Sequence, residues 1–331
     1  MKSKLTKVGR KLLGKKLYND LRARRLFRDL QSPFPLFQET PFQMDWDSYE
    51  SVGNLTNVAY IVSPTQRSGT NYLSHMLNMH PDLVFPAGDD LPDEQCLYTY
   101  SEYIKEYAYN TVSTWSKWVE GGDKSLINHS KGLVSAMGEG VLSYFKQFAK
   151  PDAMLLFKTP DAGHLENVFH LFGGGKVVLL IRDGRDTLES FSKSWGGDGA
   201  FGKMSQRWSN RVDTILKFKE MAERSGRGDK LLFVRYDELN NNTNHELSVI
   251  LDFLGVSKEL FPWDELKNVP VLGSSAHKTK DDVVHWNPIE KNEGFNPNKK
   301  WLIWTEKKKN IFKKAAGDNL IRLGFAESND W

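Results

Sequence analysis

The chain has 331 residues, of which 39% are hydrophobic and 26% are charged, as is ordinary for a folded globular protein. Its single cysteine, Cys96, excludes an intramolecular disulfide framework and a cysteine-based zinc site. No apolar run approaches transmembrane length and no signal-peptide pattern is present, so we expect a cytoplasmic protein.

Positive charge is concentrated at the N-terminus. The first 30 residues carry eleven Lys or Arg residues and two Asp residues, whereas the whole chain carries only +3. The remainder is therefore acidic, which argues against a general nucleic-acid-binding surface. Leucines at near-helical spacing predict a basic amphipathic helix that either packs on the protein or contacts an anionic membrane surface. We divide the chain into this helix with its connector, residues 1–50, and a main domain, residues 51–331.

Short apolar runs alternate with helical patterns from Val58 onward. This alternation predicts a single α/β domain with a central parallel β-sheet flanked by helices. The predicted strands are Val58–Val62, Ala153–Phe157, Lys176–Ile181 and Leu231–Val234. The predicted helices begin near Tyr72 and Thr187 and span Tyr98–Val119, Met137–Phe148, His164–Phe172, Lys203–Arg224, Glu246–Leu254 and Leu302–Leu323.

Polar residues follow all four predicted strands directly. In parallel sheets the ligand lies at the carboxyl ends of the strands, so we expect these residues to line one crevice. They are Arg67–Asn71, Lys158–Thr159, Arg182–Asp186 and Arg235–Tyr236. Their arginines and lysine indicate a strongly anionic ligand.

The most informative stretch is the turn after the first strand. A glycine turn between a strand and a helix directs backbone N–H groups at an anion, and Gly69 allows close approach. Ser68, Thr70 and Asn71 add short donors, and Arg67 adds a planar cation. The stretch alone is equally consistent with an ordinary capped turn between a strand and a helix. It is not a Walker A loop, because the chain has no G-x-x-x-x-G-K-[ST] pattern.

Arg67-Ser68-Gly69-Thr70-Asn71 resembles the 5′-phosphosulfate-binding loop of the sulfotransferase family. That family has a P-loop-like fold and uses 3′-phosphoadenosine 5′-phosphosulfate (PAPS) as donor, releasing PAP. The resemblance implies that residues 51–331 form the sulfotransferase domain. It also implies that the loop and the following Tyr72 bind the nucleotide.

Three later elements are similar to the family in the same order. Arg182 and Ser190 have the family's spacing for a 3′-phosphate site. Tyr236 follows the last predicted strand, where the family places a tyrosine near the adenine. Ser274 and Ser275 resemble a loop that surrounds the nucleotide and sulfate.

The resemblance also assigns catalytic roles. Arg67 stands where the family places the cation that neutralises the leaving oxygen, and Lys158 is the second candidate for contacting the sulfuryl group. Pro160 replaces the histidine base of cytosolic members, so the base is sought in the acidic loop after the first helix. There Asp90 is favoured, and Asp89 and Glu94 remain candidates.

The implied reaction is in-line sulfuryl transfer from PAPS to a hydroxyl group, with a carbohydrate or glycolipid favoured over a phenol or tyrosyl peptide. We expect no metal, and the oligomeric state is left open. The alternatives are a P-loop-type nucleotide or small-molecule kinase and a catalytically silent nucleotide-binding protein of the same fold.

Overall fold

The computed structural model describes residues 57–86, 91–92, 94–115, 118, 120–195, 200–270 and 296–331. The predicted N-terminal helix and the boundary at residue 50 lie outside these ranges. None of the helices in the described ranges has an apolar stretch long enough to span a bilayer.

Five parallel strands form one sheet in the order β2-β3-β1-β4-β5. The central strand β1 pairs with β3 through Tyr60 opposite Phe157 and with β4 through Tyr60 opposite Val177. The strands are β1 Val58–Val62, β2 Leu83–Val84, β3 Met154–Thr159, β4 Lys176–Ile181 and β5 Leu231–Arg235.

Both faces of the sheet are buried because side chains alternate along each strand. On β1, Val58, Tyr60 and Val62 join the core on one face, and Ala59 and Ile61 join the core on the other. The continuous apolar runs in the sequence follow from this two-sided cover.

Helices cover the sheet and extend beyond it. They are α1 Thr70–Leu77, α2 Ser101–Ser113, α3 Gly122–Lys146, α4 Val168–Leu171, α5 Gly184–Trp195, α6 Phe201–Arg224, α7 Tyr236–Asn241, α8 Thr243–Leu254 and α9 Glu306–Arg322. A short 3₁₀ helix at Lys300–Ile303 precedes α9. The predicted fold class, an α/β domain with a central parallel sheet and helices on both sides, is confirmed.

Several predicted boundaries are wrong. Helix α2 ends at Ser113 rather than Val119, and α3 begins at Gly122, fifteen residues before the predicted Met137. Gly121, with φ 102°, makes the break between the two helices, and its left-handed backbone allows α3 to start at once. The two-residue strand β2 is too short to leave a pattern in the sequence.

Candidate functional site

The loop between β1 and α1 turns through two residues with left-handed backbone conformation. Arg67 has φ 73° and Gly69 has φ 95°. Ser68 Oγ donates to the carbonyl of Thr65 at 2.8 Å and holds the loop closed. No side chain caps the N-terminus of α1, so an anion is a natural partner for the N–H groups of the turn that begins at Thr70.

Gly69 permits the close approach of an aromatic side chain from the first residue of α7. A Cβ atom at position 69 would lie 2.2 Å from the Tyr236 ring, which is an impossible contact. Tyr236 is buried, and burial raises the pKa of its phenol. Tyr72 packs edge-on against it with 6.3 Å between ring centroids. The two tyrosines therefore lie together beside the loop.

The first two family motifs meet through direct hydrogen bonds. Arg67 Nε donates to Ser190 Oγ at 3.0 Å, and Arg182 Nη1 donates to the Arg67 carbonyl at 2.8 Å. The Arg182 guanidinium also lies 4.8 Å from the centroid of the Tyr236 ring. Residues more than one hundred positions apart in sequence are thus joined at the carboxyl edge of β1, β4 and β5.

Arg67 and Arg182 both lie in this partly buried region. Burial, together with the charge of Arg182, lowers the pKa of Arg67 from its usual 12.5 to about 10. Arg182 is only 6% exposed, and its Nε is buried without a hydrogen-bond partner among the described residues. Two like charges and an unsatisfied donor favour a bound anion with several oxygen atoms. The residues present therefore fit the phosphate groups of a nucleotide.

Lys158 lies on the other side of β1, at the end of β3. Its Nζ donates to Asn71 Oδ1 at 2.6 Å, which connects it to the loop. Its Nζ is also 3.9 Å from Glu94 Oε1. The Lys158 side chain is nearly buried, whereas that of Glu94 is 35% exposed. The structure thus brings one of the three carboxylate candidates next to the predicted transfer site.

Residues 296–303, here called the closing turn, contribute to the site and were missed in the sequence. Arg182 Nη2 donates to the carbonyl of Pro297. Burial, together with the charges of Arg182 and Lys193, lowers the pKa of Lys300 from 10.5 to about 8. Arg67, Arg182 and Lys300 are called the cation cluster below. Two adjacent lysines before Trp301 were the available signal, but lysine runs are common on exposed surfaces.

One expected member of the crevice points elsewhere. Arg235 donates to the carbonyl of Leu323 at 3.1 Å, pairs with Asp237 at 3.0 Å and lies over Phe325. Its charge anchors the C-terminal segment, so the expectation that Arg235 lines the crevice is wrong. A residue that directly follows a strand lies at the carboxyl edge of the sheet. The direction of its side chain depends on the hydrogen-bond and ion-pair partners within its reach.

Asp90, Asp89, Ser274 and Ser275 lie outside the described residues. Their predicted roles stay predictions.

One exposed group has metal-ligand chemistry. Glu102, His164 and Glu166 place their ligand atoms within 4.8 Å of one another. Glu102 already accepts from Lys105 Nζ at 3.1 Å and from Asn167 Nδ2 at 2.5 Å. These bonds explain its position without a cation.

Comparison with known proteins identifies the family. The model of the sulfotransferase family matches residues 61–260, which is more than half of the chain and includes the loop, Lys158, Arg182 and Ser190. The chain belongs to the sulfotransferase family.

Individual relatives of this sulfotransferase are distant. A protein-tyrosine sulfotransferase of Drosophila melanogaster is 24% identical over 238 residues, which are 66% of this chain and 43% of that protein. The chain thus spans less than half the length of this curated relative.

Solved structures similar to this sulfotransferase are also distant in sequence. The sulfotransferase domain of the Synechococcus PCC 7002 olefin synthase is 20% identical, with a TM-score of 0.48, over 82% of this chain and 98% of that one. A mouse sulfotransferase complexed with PAP is 14% identical, with a TM-score of 0.42, over 83% of this chain and 86% of that one.

Proposed function

We propose that this sulfotransferase uses PAPS as donor and transfers its sulfuryl group to a carbohydrate or glycolipid hydroxyl by in-line displacement. The observation that carries the donor assignment is the joining of Arg67, Ser190 and Arg182 by hydrogen bonds at 3.0 and 2.8 Å. Membership of the sulfotransferase family implies the same nucleotide.

The donor is arranged by the two motifs. Arg182 and Ser190 bind the 3′-phosphate, and Lys300 of the closing turn adds a third group to this end. The loop from Ser68 to Asn71 binds the 5′-phosphosulfate. Tyr72 and Tyr236 border the adenine. Ser274 and Ser275 remain proposed contacts of the nucleotide.

The transfer step breaks the bond between sulfur and the bridging oxygen and forms a bond between sulfur and the acceptor oxygen. Negative charge grows on the bridging oxygen, as it does in the related phosphoryl transfers. Arg67 stabilises this charge by charge and hydrogen bonding, because a guanidinium does not give up its proton. Lys158, held by Asn71, contacts the transferring sulfuryl oxygens.

The acceptor hydroxyl must lose its proton to a base. Asp90 is the proposed base from the family resemblance, and Glu94 is a second candidate, with 3.9 Å between its Oε1 and Lys158 Nζ. Matched variants separate them. The two variants are Asp90→Asn and Glu94→Gln. The variant that lacks the true base should lose turnover by about 10² to 10⁴-fold, while its PAP affinity stays near wild type. Full activity in both of these variants and in Asp89→Asn would contradict a carboxylate base from this loop.

The carbohydrate or glycolipid assignment is supported by aromatic side chains near the acceptor side. Tyr98 donates to the carbonyl of Asp161, just beyond Lys158, at 2.8 Å. Tyr100 and Tyr103 follow it, 72% and 48% exposed, with 6.3 Å between ring centroids. Aromatic faces of this kind stack on sugar rings. A phenol and a tyrosyl peptide are therefore also tested as acceptors.

The experiment is a thermal unfolding assay followed by transfer from radiolabelled PAPS. At 100 times its Kd, PAP should stabilise the fold by about 2.7 kcal/mol, whereas ATP with Mg²⁺ should not. Stabilisation by ATP–Mg²⁺ alone would favour the kinase alternative. PAP binding without transfer to carbohydrate, phenol or peptide panels would favour the silent binding protein.

A further inference from the structure

Helix α5 carries two buried carboxylates, both of which bind the C-terminal segment. Asp186 and Glu189 are each 3% exposed. Asp186 accepts from the backbone N–H groups of Lys299, at 2.8 Å, and Lys300, at 2.5 Å. Glu189 accepts from Trp304 Nε1 at 2.6 Å and from Lys308 Nζ at 3.0 Å. The two acids therefore hold neighbouring but different parts of the segment.

The part held by Asp186 is a strained point within the closing turn. Lys299 has φ 58°, a left-handed conformation that is unfavourable for a residue with a Cβ atom. Its own N–H and the next N–H both bond to Asp186, which offsets that strain. The same turn supplies the carbonyl of Pro297 to Arg182.

Arg185 on α5 makes a second contact with the closing turn. The Arg185 guanidinium lies 3.9 Å from the centroid of the Trp301 ring and 4.6 Å from that of Trp331. It also pairs with Asp183 at 2.7 Å and donates to the carbonyl of Phe325 at 2.9 Å. The closing turn and the chain after α9 are thus packed on one side chain of α5.

Charge links the same turn to the cation cluster. Burial and the charges of Arg182, Lys193 and Arg67 lower the pKa of Lys300, whereas the charge of Asp186 raises it. Asp186 is therefore placed to hold the backbone of Lys300 and to keep its ammonium group charged.

We propose that Asp186 is a positioning residue that holds Lys300 and the closing turn at the donor site, so that donor binding and docking of the C-terminal segment are coupled. This inference rests on the proposed PAPS-binding function. Asp186 itself touches no reacting atom.

The test compares Asp186→Asn with wild type in PAP binding and in transfer kinetics. We expect the Kd for PAP to rise about tenfold or more, because two charge-assisted hydrogen bonds are weakened. The turnover number at saturating donor should stay within about twofold, since Arg67 and Lys158 remain in place.

The pH dependence gives a readout that a purely structural role would not change. Lys300 is charged below about pH 8, so wild-type PAP affinity should fall as the pH rises above that value. In Asp186→Asn the opposing carboxylate is lost and the pKa of Lys300 falls further. The decline in affinity should then begin at lower pH.

Glu189→Gln is the matched control. It removes an equally buried acid that binds Trp304 and Lys308 rather than the turn of Lys300. This variant should lose thermal stability with no change in the pH at which PAP affinity declines. Equal behaviour of the two variants, or unchanged PAP affinity in Asp186→Asn, would overturn the inference.

A measurement on the wild-type protein keeps the inference testable if Asp186→Asn does not fold. Saturating PAP should slow amide hydrogen exchange in residues 296–304 and also in 323–331, which Arg185 connects to the turn. Unchanged exchange in both segments, in a protein that binds PAP, would overturn the coupling. Failure of the wild-type protein to bind PAP would instead refute the proposed function.

Discussion

The two sides of β1 are built differently. On the donor side, hydrogen bonds of Arg67 and Arg182 join the loop after β1, the end of β4, α5 and the closing turn, and Arg182 and Ser190 are only 6% and 4% exposed. On the acceptor side, the loop after β3 and the start of α2 carry half-exposed ion pairs and tyrosines. Arg207, paired with Asp161, is 49% exposed there.

The difference explains why the donor is easier to infer than the acceptor. Buried like charges are costly without an anion, so the donor side restricts its ligand to a polyanion. Exposed ion pairs of mixed sign contribute little energy and accept many partners. Donor-side substitutions should therefore have large and selective effects, and acceptor-side substitutions small ones.

Arg67→Ala should have the largest effect. Loss of a preorganised donor at the leaving oxygen lowers turnover by about 10² to 10³-fold. Steady-state transfer from radiolabelled PAPS measures it. Arg67→Lys keeps a cation like that of cytosolic family members and should retain part of the activity. Turnover within threefold of wild type in Arg67→Ala would contradict the assignment of Arg67.

Arg182→Ala should weaken PAP binding by about 10 to 100-fold, since hydrogen bonds to charged groups contribute about 1.5–3 kcal/mol each. Titration calorimetry measures the Kd. The control is Arg322→Ala, because Arg322 is 49% exposed and pairs with Asp213 far along the chain from either motif. Normal PAP binding by Arg182→Ala would show that the donor assignment is wrong.

Gly69→Ala should destabilise the loop by about 2–3 kcal/mol, because the new Cβ meets the Tyr236 ring and φ 95° disfavours any side chain. Denaturant unfolding measures the change. In Gly132→Ala, where a Cβ meets nothing within 4 Å in helix α3, stability should instead rise by about 0.5–1 kcal/mol. Equal stability of the two variants would disprove the close contact.

Tyr100→Ala and Tyr103→Ala should have the smallest effects. We expect the KM for a carbohydrate acceptor to rise about threefold to tenfold, in line with about 1 kcal/mol for a lost aromatic contact. PAP affinity should not change. Tyr144, 52% exposed near the end of α3 and the amino edge of the sheet, is the matched control. A similar rise in KM for Tyr144→Ala would contradict the assignment of Tyr100 and Tyr103 to the acceptor site.

Much of the donor side was predictable because local rules determine it. Continuous apolar runs gave β1 and β4 with their observed bounds, and the carboxyl-edge rule placed Arg67, Lys158 and Arg182 at one edge. The start of α3 at Gly122 was not predictable from its apolar spacing, because its first turns are polar and are stabilised by packing.

The sequence by itself determined the α/β class, the phosphosulfate-like loop and the spacing of Arg182 and Ser190, since each depends on short-range patterns. Only the tertiary structure decided that Arg235 leaves the crevice, that Glu94 approaches Lys158 and that Lys300 joins the cation cluster. Each of these depends on contacts between residues far apart in the chain. The backbone of Lys300 is held at this place because Asp186, more than one hundred positions earlier, accepts a hydrogen bond from its N–H.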